Sequence, residues 1–320
     1  MKYLFTTLAS LLLALIPLRG QNPSGNEPDS DMPDRTVVFA QYDGGMLGMD
    51  IYVGGSLEGA NPCIIFSYGG GFKMNTQRSD VTRRFCRRLA DSAGFVVAAI
   101  DYRRGLADFK SKGTLAVIKP LNNAIQDATE DLFKALTCIL DNASTLHIDP
   151  AKIILCGSSA GAMMSLQADY ELCNRTPMTA LIPDDFRFAG VVAFAGALYS
   201  AHGSPKYTIH TPSPTFLLHG TDDKLVPYGR RSAIKYVFWG SSAIADHFAK
   251  NGYIYRIDRF NGFGHSVAAS LEENRPAVVS FINEVVLGGR RMCVDQTITI
   301  FDKSVEQSKI DRYTTDDLYK

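Results

Sequence analysis

A short apolar run ending in a glycine-framed serine constrains this chain more than any other stretch. Residues 152–161 read Lys-Ile-Ile-Leu-Cys-Gly-Ser-Ser-Ala-Gly. Ile153, Ile154, Leu155 and Cys156 show no alternation of apolar and polar side chains, which is the pattern of a parallel strand covered on both faces. Ala162 to Leu166 then reads as a helix. Strand, tight turn and helix therefore meet between Gly157 and Gly161. So short a turn holds its central residue in a strained backbone conformation, and its two glycines leave room for the strand and helix to cross closely. Ser159, at the centre, projects its hydroxyl out of the fold, with a helix N-terminus beneath any negative charge that develops there.

The surrounding chain has the composition such a fold needs. With 320 residues, 46% of them hydrophobic, it is long enough for one large α/β domain with a substantial core. Pro62 to Ser67, Gly94 to Ile100, Phe188 to Ala195 and Thr215 to His219 read as buried strands, and Tyr253 to Phe260 as an alternating one. Helical spacing runs from Asn75 to Ala93, from Leu121 to Asn142, from Arg230 to Lys250 with a break at Gly240, and from about Leu271 to Leu287. Thr36 to Tyr42 and Met46 to Val53, joined through Asp43 and two glycines, read as a β-hairpin. Strands alternating with helices predict a mainly parallel central sheet with helices on both faces and an N-terminal antiparallel hairpin, over residues 36–288. Leu106 to Lys119 is long enough to form a cleft edge, and Asp169 to Arg187, with Pro177 and Pro183, reads as a small lid or pocket wall.

The two ends read differently. Met1-Lys2, the apolar run from Tyr3 to Leu18 and the small Gly20 resemble a secretory signal peptide over residues 1–20, which leaves no stable membrane span once removed. Residues 21–35 are rich in Pro, Gly, Asn and Asp and read as a flexible leader. Residues 289–320 form a C-terminal extension, in which Asp295 to Phe301 alternates like a strand and Thr314 to Lys320 is polar enough to be disordered. The expected location is secreted or periplasmic. Lys plus Arg and Asp plus Glu both number 33, so no basic field recommends a nucleic-acid partner. The six cysteines permit disulfides without choosing a pairing. Cys63 and Cys156 fall in buried strands, and no cysteine spacing resembles a zinc site.

Three chemically matched groups lie just past the C-terminal ends of predicted strands: Ser159, Asp223 and His265. In a parallel sheet those ends share one edge, where ligands bind. A serine hydroxyl needs an adjacent base to act as a nucleophile; a histidine takes its proton and returns it to a leaving group, and a carboxylate fixes the imidazole tautomer. Tyr68-Gly-Gly-Gly-Phe72 leaves another strand end, and its bare backbone N–H groups are suited to a ligand oxygen. Ser158 and Asp222 are the neighbouring rivals of Ser159 and Asp223. His147, His202, His210, His219 and His247 read as structural or surface residues, with His202 and His210 the two that lie where a pocket wall would be.

These stretches together resemble the α/β-hydrolase-fold serine esterases, in particular the carboxylesterase and hormone-sensitive-lipase-like branch, from about Thr36 to Leu287. Tyr68 to Phe72 resembles that branch's His-Gly-Gly-Gly loop, with tyrosine in place of histidine. Gly157 to Gly161 resembles its nucleophile elbow, His219 to Val226 its acid loop, and Gly264-His265 its histidine loop. Asp101-Tyr102-Arg103 also resembles the branch, as structural support. The resemblance implies Ser159 as nucleophile, His265 as base, Asp223 as acid, and the N–H groups of Gly70, Gly71 and Ala160 as the oxyanion hole. It implies no cofactor and no metal, and a small-molecule or carbohydrate-linked carboxylic ester as substrate. Alternative expectations are a prolyl-oligopeptidase-type peptidase, a lipase, or a non-catalytic binding module with this fold.

Overall fold

The computed structural model describes residues 31–55, 59–74, 76–110, 114–200, 205–233, 236–301, 311 and 314–319. The expected signal segment lies outside the described residues. In chain order the strands are β1 (Arg35–Tyr42), β2 (Gly45–Val53), β3 (Asn61–Ser67), β4 (Val96–Ile100), β5 (Ile148–Ser158) and β6 (Gly190–Phe194). They continue as β7 (Ala197–Ser200), β8 (Thr215–Gly220), β9 (Arg230–Ala233), β10 (Tyr236–Gly240), β11 (Tyr255–Phe260) and β12 (Cys293–Ile298). The helices are α1 (Asp80–Ala93), α2 (Thr114–Asp141), α3 (Ala160–Cys173), α4 (Ser241–Asn251), α5 (Leu271–Phe281) and α6 (Thr315–Tyr319).

The main sheet runs β1-β2-β4-β3-β5-β6-β8-β11-β12. β1 pairs antiparallel with β2, and β2 antiparallel with β4; every other neighbouring pair is parallel. Every residue of β4, β6 and β8 is buried, as strands covered on both faces must be. This is the mainly parallel sheet with an antiparallel N-terminal hairpin that the alternation of strands and helices predicts, and the α/β-hydrolase arrangement that the resemblance implies. Parallel pairing brings the C-terminal ends of β3, β5, β8 and β11 to one edge, so residues far apart in sequence meet there.

Several expectations need correction. Arg230 to Lys250 is not one helix. Its first part forms β9 and β10, which join β7 in a separate antiparallel sheet, and only α4 is helical. The run Tyr236-Val-Phe-Trp239 is rich in β-branched and aromatic side chains, and that preference won over the helical spacing. Gly240 closes this strand, where a Cβ would lie 1.8 Å from the carbonyl oxygen of Pro227. In the C-terminal extension the strand expected from Asp295 to Phe301 forms slightly earlier, as β12, and pairs with β11 from Cys293 opposite Tyr255 to Ile298 opposite Phe260. Residues 315–319 form α6 rather than a disordered end. α2 starts ahead of the expected Leu121, with Pro120 inside it withholding the N–H that would bond the carbonyl of Ala116. All six cysteines are free thiols. Among the described residues no helix is long and apolar enough to cross a membrane.

Candidate active site

Ser159 sits between β5 and α3 with φ 52° and ψ −116°. A non-glycine residue reaches that region only where its surroundings force it there. Its N–H donates to the carbonyl of Phe194 at 2.8 Å, and its carbonyl accepts from Met163 N–H at 2.9 Å. A Cβ on Gly161 would lie 2.0 Å from the carbonyl oxygen of Ser67, so only glycine lets α3 cross β3 this closely.

The sheet edge brings the three candidate side chains into one chain of hydrogen bonds. Ser159 Oγ lies 2.8 Å from His265 Nε2, and His265 Nδ1 lies 2.7 Å from Asp223 Oδ2. A carboxylate only accepts, so Nδ1 carries the proton and Nε2 is left free to accept from the serine hydroxyl. All three are buried, at 8%, 3% and 4% exposure for Ser159, His265 and Asp223. Water therefore competes little for these bonds.

Asp223 accepts four bonds in all. Its Oδ1 takes the backbone N–H of Leu225 at 2.9 Å and of Val226 at 3.0 Å. Its Oδ2 takes His265 and also His219 Nε2, at 3.1 Å. Burial pushes the carboxyl up, but the bonds and charge of the two histidines outweigh it and hold the group well below the usual carboxylate range.

The rivals point elsewhere. Ser158 Oγ donates to the carbonyl of Ala268 at 2.6 Å, and Asp222 accepts from the hydroxyl of Thr221. His210 lies against Arg187, and His202 lies outside the described residues. His219 is the residue that sequence reasoning missed. It is fully buried, and its Nε2 faces only acceptors, Asp223 Oδ2 and the carbonyl of Val226. Nε2 therefore carries its proton, and Nδ1 meets Ser241 Oγ at 2.8 Å. The available signal was its position, one turn of chain before the acid.

The glycine loop is fixed through its carbonyl groups. Tyr102 O–H donates to the carbonyl of Tyr68, Thr76 O–H to that of Gly69, and Lys73 and Met74 N–H to that of Gly70. Tyr319 O–H donates to the carbonyl of Gly71, and Leu106 N–H to that of Phe72. Across a planar trans peptide the C=O and the next N–H point opposite ways. Fixing the carbonyls of Gly69 and Gly70 therefore fixes the direction of the Gly70 and Gly71 N–H groups. Tyr68 anchors the start of the loop through its own side chain. Its hydroxyl donates to Asp101 at 2.8 Å, and its ring stacks on Tyr102 with centroids 4.5 Å apart.

Two cavities open beside Ser159. One, of about 210 Å³, is largely apolar, with Phe72, Val117, Met163, Phe238 and Leu318 among its walls. The other, of about 310 Å³, is also largely apolar, with Phe66, Met74, Val81 and Leu271 among its walls, and carries His265, Thr76, Ser79 and Thr82 as well. Residues 169–187 line neither, so the expected lid is absent from the walls of this site. Val117 and Ile118, from the expected cleft edge, do line the smaller one. Among the described residues no cluster of His, Cys, Asp and Glu is arranged to hold a metal ion.

The chain has the α/β-hydrolase fold, with a serine, histidine and aspartate in hydrogen-bonded series, and the likeness to the carboxylesterase and hormone-sensitive-lipase-like branch holds. The family model described as BD-FAE matches residues 49–198, a little under half of the chain. An AB hydrolase superfamily protein of Schizosaccharomyces pombe is 35% identical over 118 residues, 36% of this chain and 29% of that protein. Cholinesterase 2 of Branchiostoma lanceolatum is 34% identical over 99 residues, 31% of this chain and 27% of that one. These stretches thus span under a third of each relative's length. In three dimensions, an esterase 2 of Thermogutta terrifontis superposes with a TM-score of 0.58 at 20% identity, over 78% of this chain and 94% of that one. That likeness shows the fold.

Proposed function

We propose that the protein hydrolyses carboxylic esters through an acyl-enzyme on Ser159. The observation that carries this reading is the unbroken series Ser159 Oγ, His265 Nε2, His265 Nδ1, Asp223 Oδ2, with contacts of 2.8 Å and 2.7 Å. Ser159 attacks the ester carbonyl while His265 Nε2 takes its proton. The carbonyl oxygen becomes negative, facing the N–H groups of Gly70, Gly71 and Ala160 at the N-terminus of α3. His265 gives its proton to the alcohol oxygen, the C–O bond breaks, and the alcohol leaves. A water molecule deprotonated by His265 then attacks the acyl-enzyme, and the acid departs. Asp223 stays ionised throughout and stabilises the transient imidazolium.

The histidine also gives the site a direction. The leaving alcohol must lie where His265 can protonate it, and His265 lines only the larger cavity. The alcohol therefore occupies that side and the acyl group the smaller chamber of about 210 Å³, which favours short acyl chains. The hydroxyls of Thr76, Ser79 and Thr82 already donate within their loop and keep lone pairs for a sugar hydroxyl. These few polar groups on an otherwise apolar wall leave room for the alcohol of a small-molecule or carbohydrate-linked ester. The reading as an exported protein, secreted or periplasmic, rests on the first twenty residues of the sequence.

The test is hydrolysis of p-nitrophenyl acetate by the wild-type protein and by Ser159→Ala, alongside peptide p-nitroanilides. Ester cleavage that disappears with Ser159→Ala, and no amide cleavage, is the expected result. Equal ester rates for the two proteins would remove the assigned nucleophile.

A further inference from the structure

We infer that the C-terminal segment bearing Asp311, Leu318 and Tyr319 is a working part of the active site: Leu318 limits the acyl chain, while Asp311 and Tyr319 position the two loops on which the chemistry depends. The inference rests on the esterase reading for its substrate and on geometry alone for its clamps.

Tyr319 is 3% exposed, with its ring edge-on to Phe109 at 6.2 Å between centroids. Its hydroxyl donates to the carbonyl of Gly71 at 2.9 Å, joining positions 248 residues apart. Of the five carbonyl anchors of the glycine loop, this is the one supplied from the end of the chain. Asp311 holds the histidine loop in the same way. Its carboxylate accepts the N–H of Ser266 at 2.6 Å and its hydroxyl at 2.9 Å. On the other side of His265, a Cβ on Gly264 would lie 2.7 Å from Asp311 Oδ1. The residues flanking His265 in sequence are therefore both packed on one carboxylate. One segment thus grips the loop carrying the Gly70 and Gly71 N–H groups and the loop carrying the base.

Leu318 stands between these grips and lines both cavities beside Ser159. A Cβ on Gly71 would lie 2.6 Å from Leu318 Cδ2, so the leucine packs directly on the glycine loop. It is accordingly a wall between the acyl chamber and the alcohol side. The turn that presents it is closed locally, with Thr314 N–H and O–H both donating to Asp317 Oδ2 at 3.0 Å and 2.7 Å. Removing the leucine side chain merges the chambers, and enlarging it shortens the one that takes the acyl group.

The test uses the full chain with p-nitrophenyl acetate, butyrate, hexanoate and octanoate. Each methylene accommodated by an apolar pocket raises kcat/KM roughly fourfold. Leu318→Ala is expected to raise the octanoate-to-acetate ratio of kcat/KM by about tenfold or more, and Leu318→Trp to lower it. A uniform loss over all four esters in both variants would overturn the assignment of Leu318. For the clamps, Tyr319→Phe and Asp311→Asn are expected to lower kcat with little change in KM. They are also expected to speed amide hydrogen exchange, at residues 70–74 in Tyr319→Phe and at residues 264–268 in Asp311→Asn. Exchange at wild-type rates would overturn the clamps. The exchange result stands whether or not the protein is an esterase. Conversely, Ser159-dependent hydrolysis with unchanged exchange sinks the clamps and leaves the esterase reading intact.

Discussion

Replacing Asp223 by asparagine is a nearly isosteric change that the structure predicts to be disabling, for a reason fixed by four hydrogen bonds. Asp223 Oδ1 accepts two backbone N–H groups, from Leu225 and Val226, and Oδ2 accepts two histidine N–H groups. An asparagine has one acceptor and one donor end. If its NH₂ faced the backbone, two buried N–H donors would go unmet, at about 1–3 kcal/mol each. Histidines can exchange tautomers and backbone amides cannot, so the NH₂ faces His219 and His265. His219 can then donate through Nδ1 to Ser241, whose own hydroxyl turns to the carbonyl of Gly196 at 3.4 Å. His265 must present a bare Nδ1 to the amide and carry its proton on Nε2, where it can no longer accept from Ser159. A triad caught in the wrong tautomer loses about 10⁴ in kcat, or roughly 5 kcal/mol of barrier. The assay is p-nitrophenyl acetate hydrolysis by wild type, Asp223→Asn, Asp223→Ala and Asp222→Asn, with far-UV circular dichroism to verify folding. Asparagine is expected to be at least as poor as alanine, and Asp222→Asn to stay near wild type. Asp223→Asn within tenfold of wild type, or well above Asp223→Ala, would refute the tautomer argument.

Other outcomes follow from the same contacts. Tyr68→Phe removes the bond to the Asp101 carboxylate but keeps the ring stack; it should cost about 2 kcal/mol, seen as a Tm lower by a few degrees, and should lower kcat more than it raises KM. Asp169, buried on α3, has its carboxyl pushed up by burial from 3.8 to about 6, its bonds from Ser213 offsetting only part of that. Because the folded value is raised, its stabilising contribution is complete below pH 4 and is lost as pH rises through 6, by about 3 kcal/mol. Denaturant midpoints measured from pH 4 to pH 7 should therefore fall more steeply for wild type than for Asp169→Asn, and parallel curves would contradict this. With all six thiols free, adding dithiothreitol should leave Tm unchanged; a drop would reveal a disulfide.

The parts of the fold that sequence made legible are those fixed by local chemistry. The apolar run Ile153 to Cys156 could only be buried, and the glycines around Ser159 answer to contacts of 2.0 Å and 2.4 Å that any Cβ would make. Asp223 and His265 were legible because each follows the end of a strand that the sequence shows, one buried and one alternating, and parallel pairing brings such ends together. The stretch from Arg230 to Gly240 was misread because its spacing suits a helix in isolation. Its strand form depends on β7, a partner some forty residues earlier in the chain. The C-terminal segment was the least legible, since Tyr319 and Asp311 find their partners at Gly71 and Ser266 and nothing in their own neighbourhood names them. His219 lay in plain view beside the acid, but only its burial between Asp223 and Ser241 separates it from a surface histidine.

The account's central claim is that the Ser159 hydroxyl, and no other, forms a covalent bond with substrate. Its most direct test is to treat the protein with a p-nitrophenyl alkylphosphonate, measure the intact mass, and map the adduct by peptide sequencing in wild type and Ser159→Ala. The account predicts one phosphonyl group per chain, on Ser159, and none on the alanine variant. An adduct on Ser158, or equal labelling of both proteins, would contradict it.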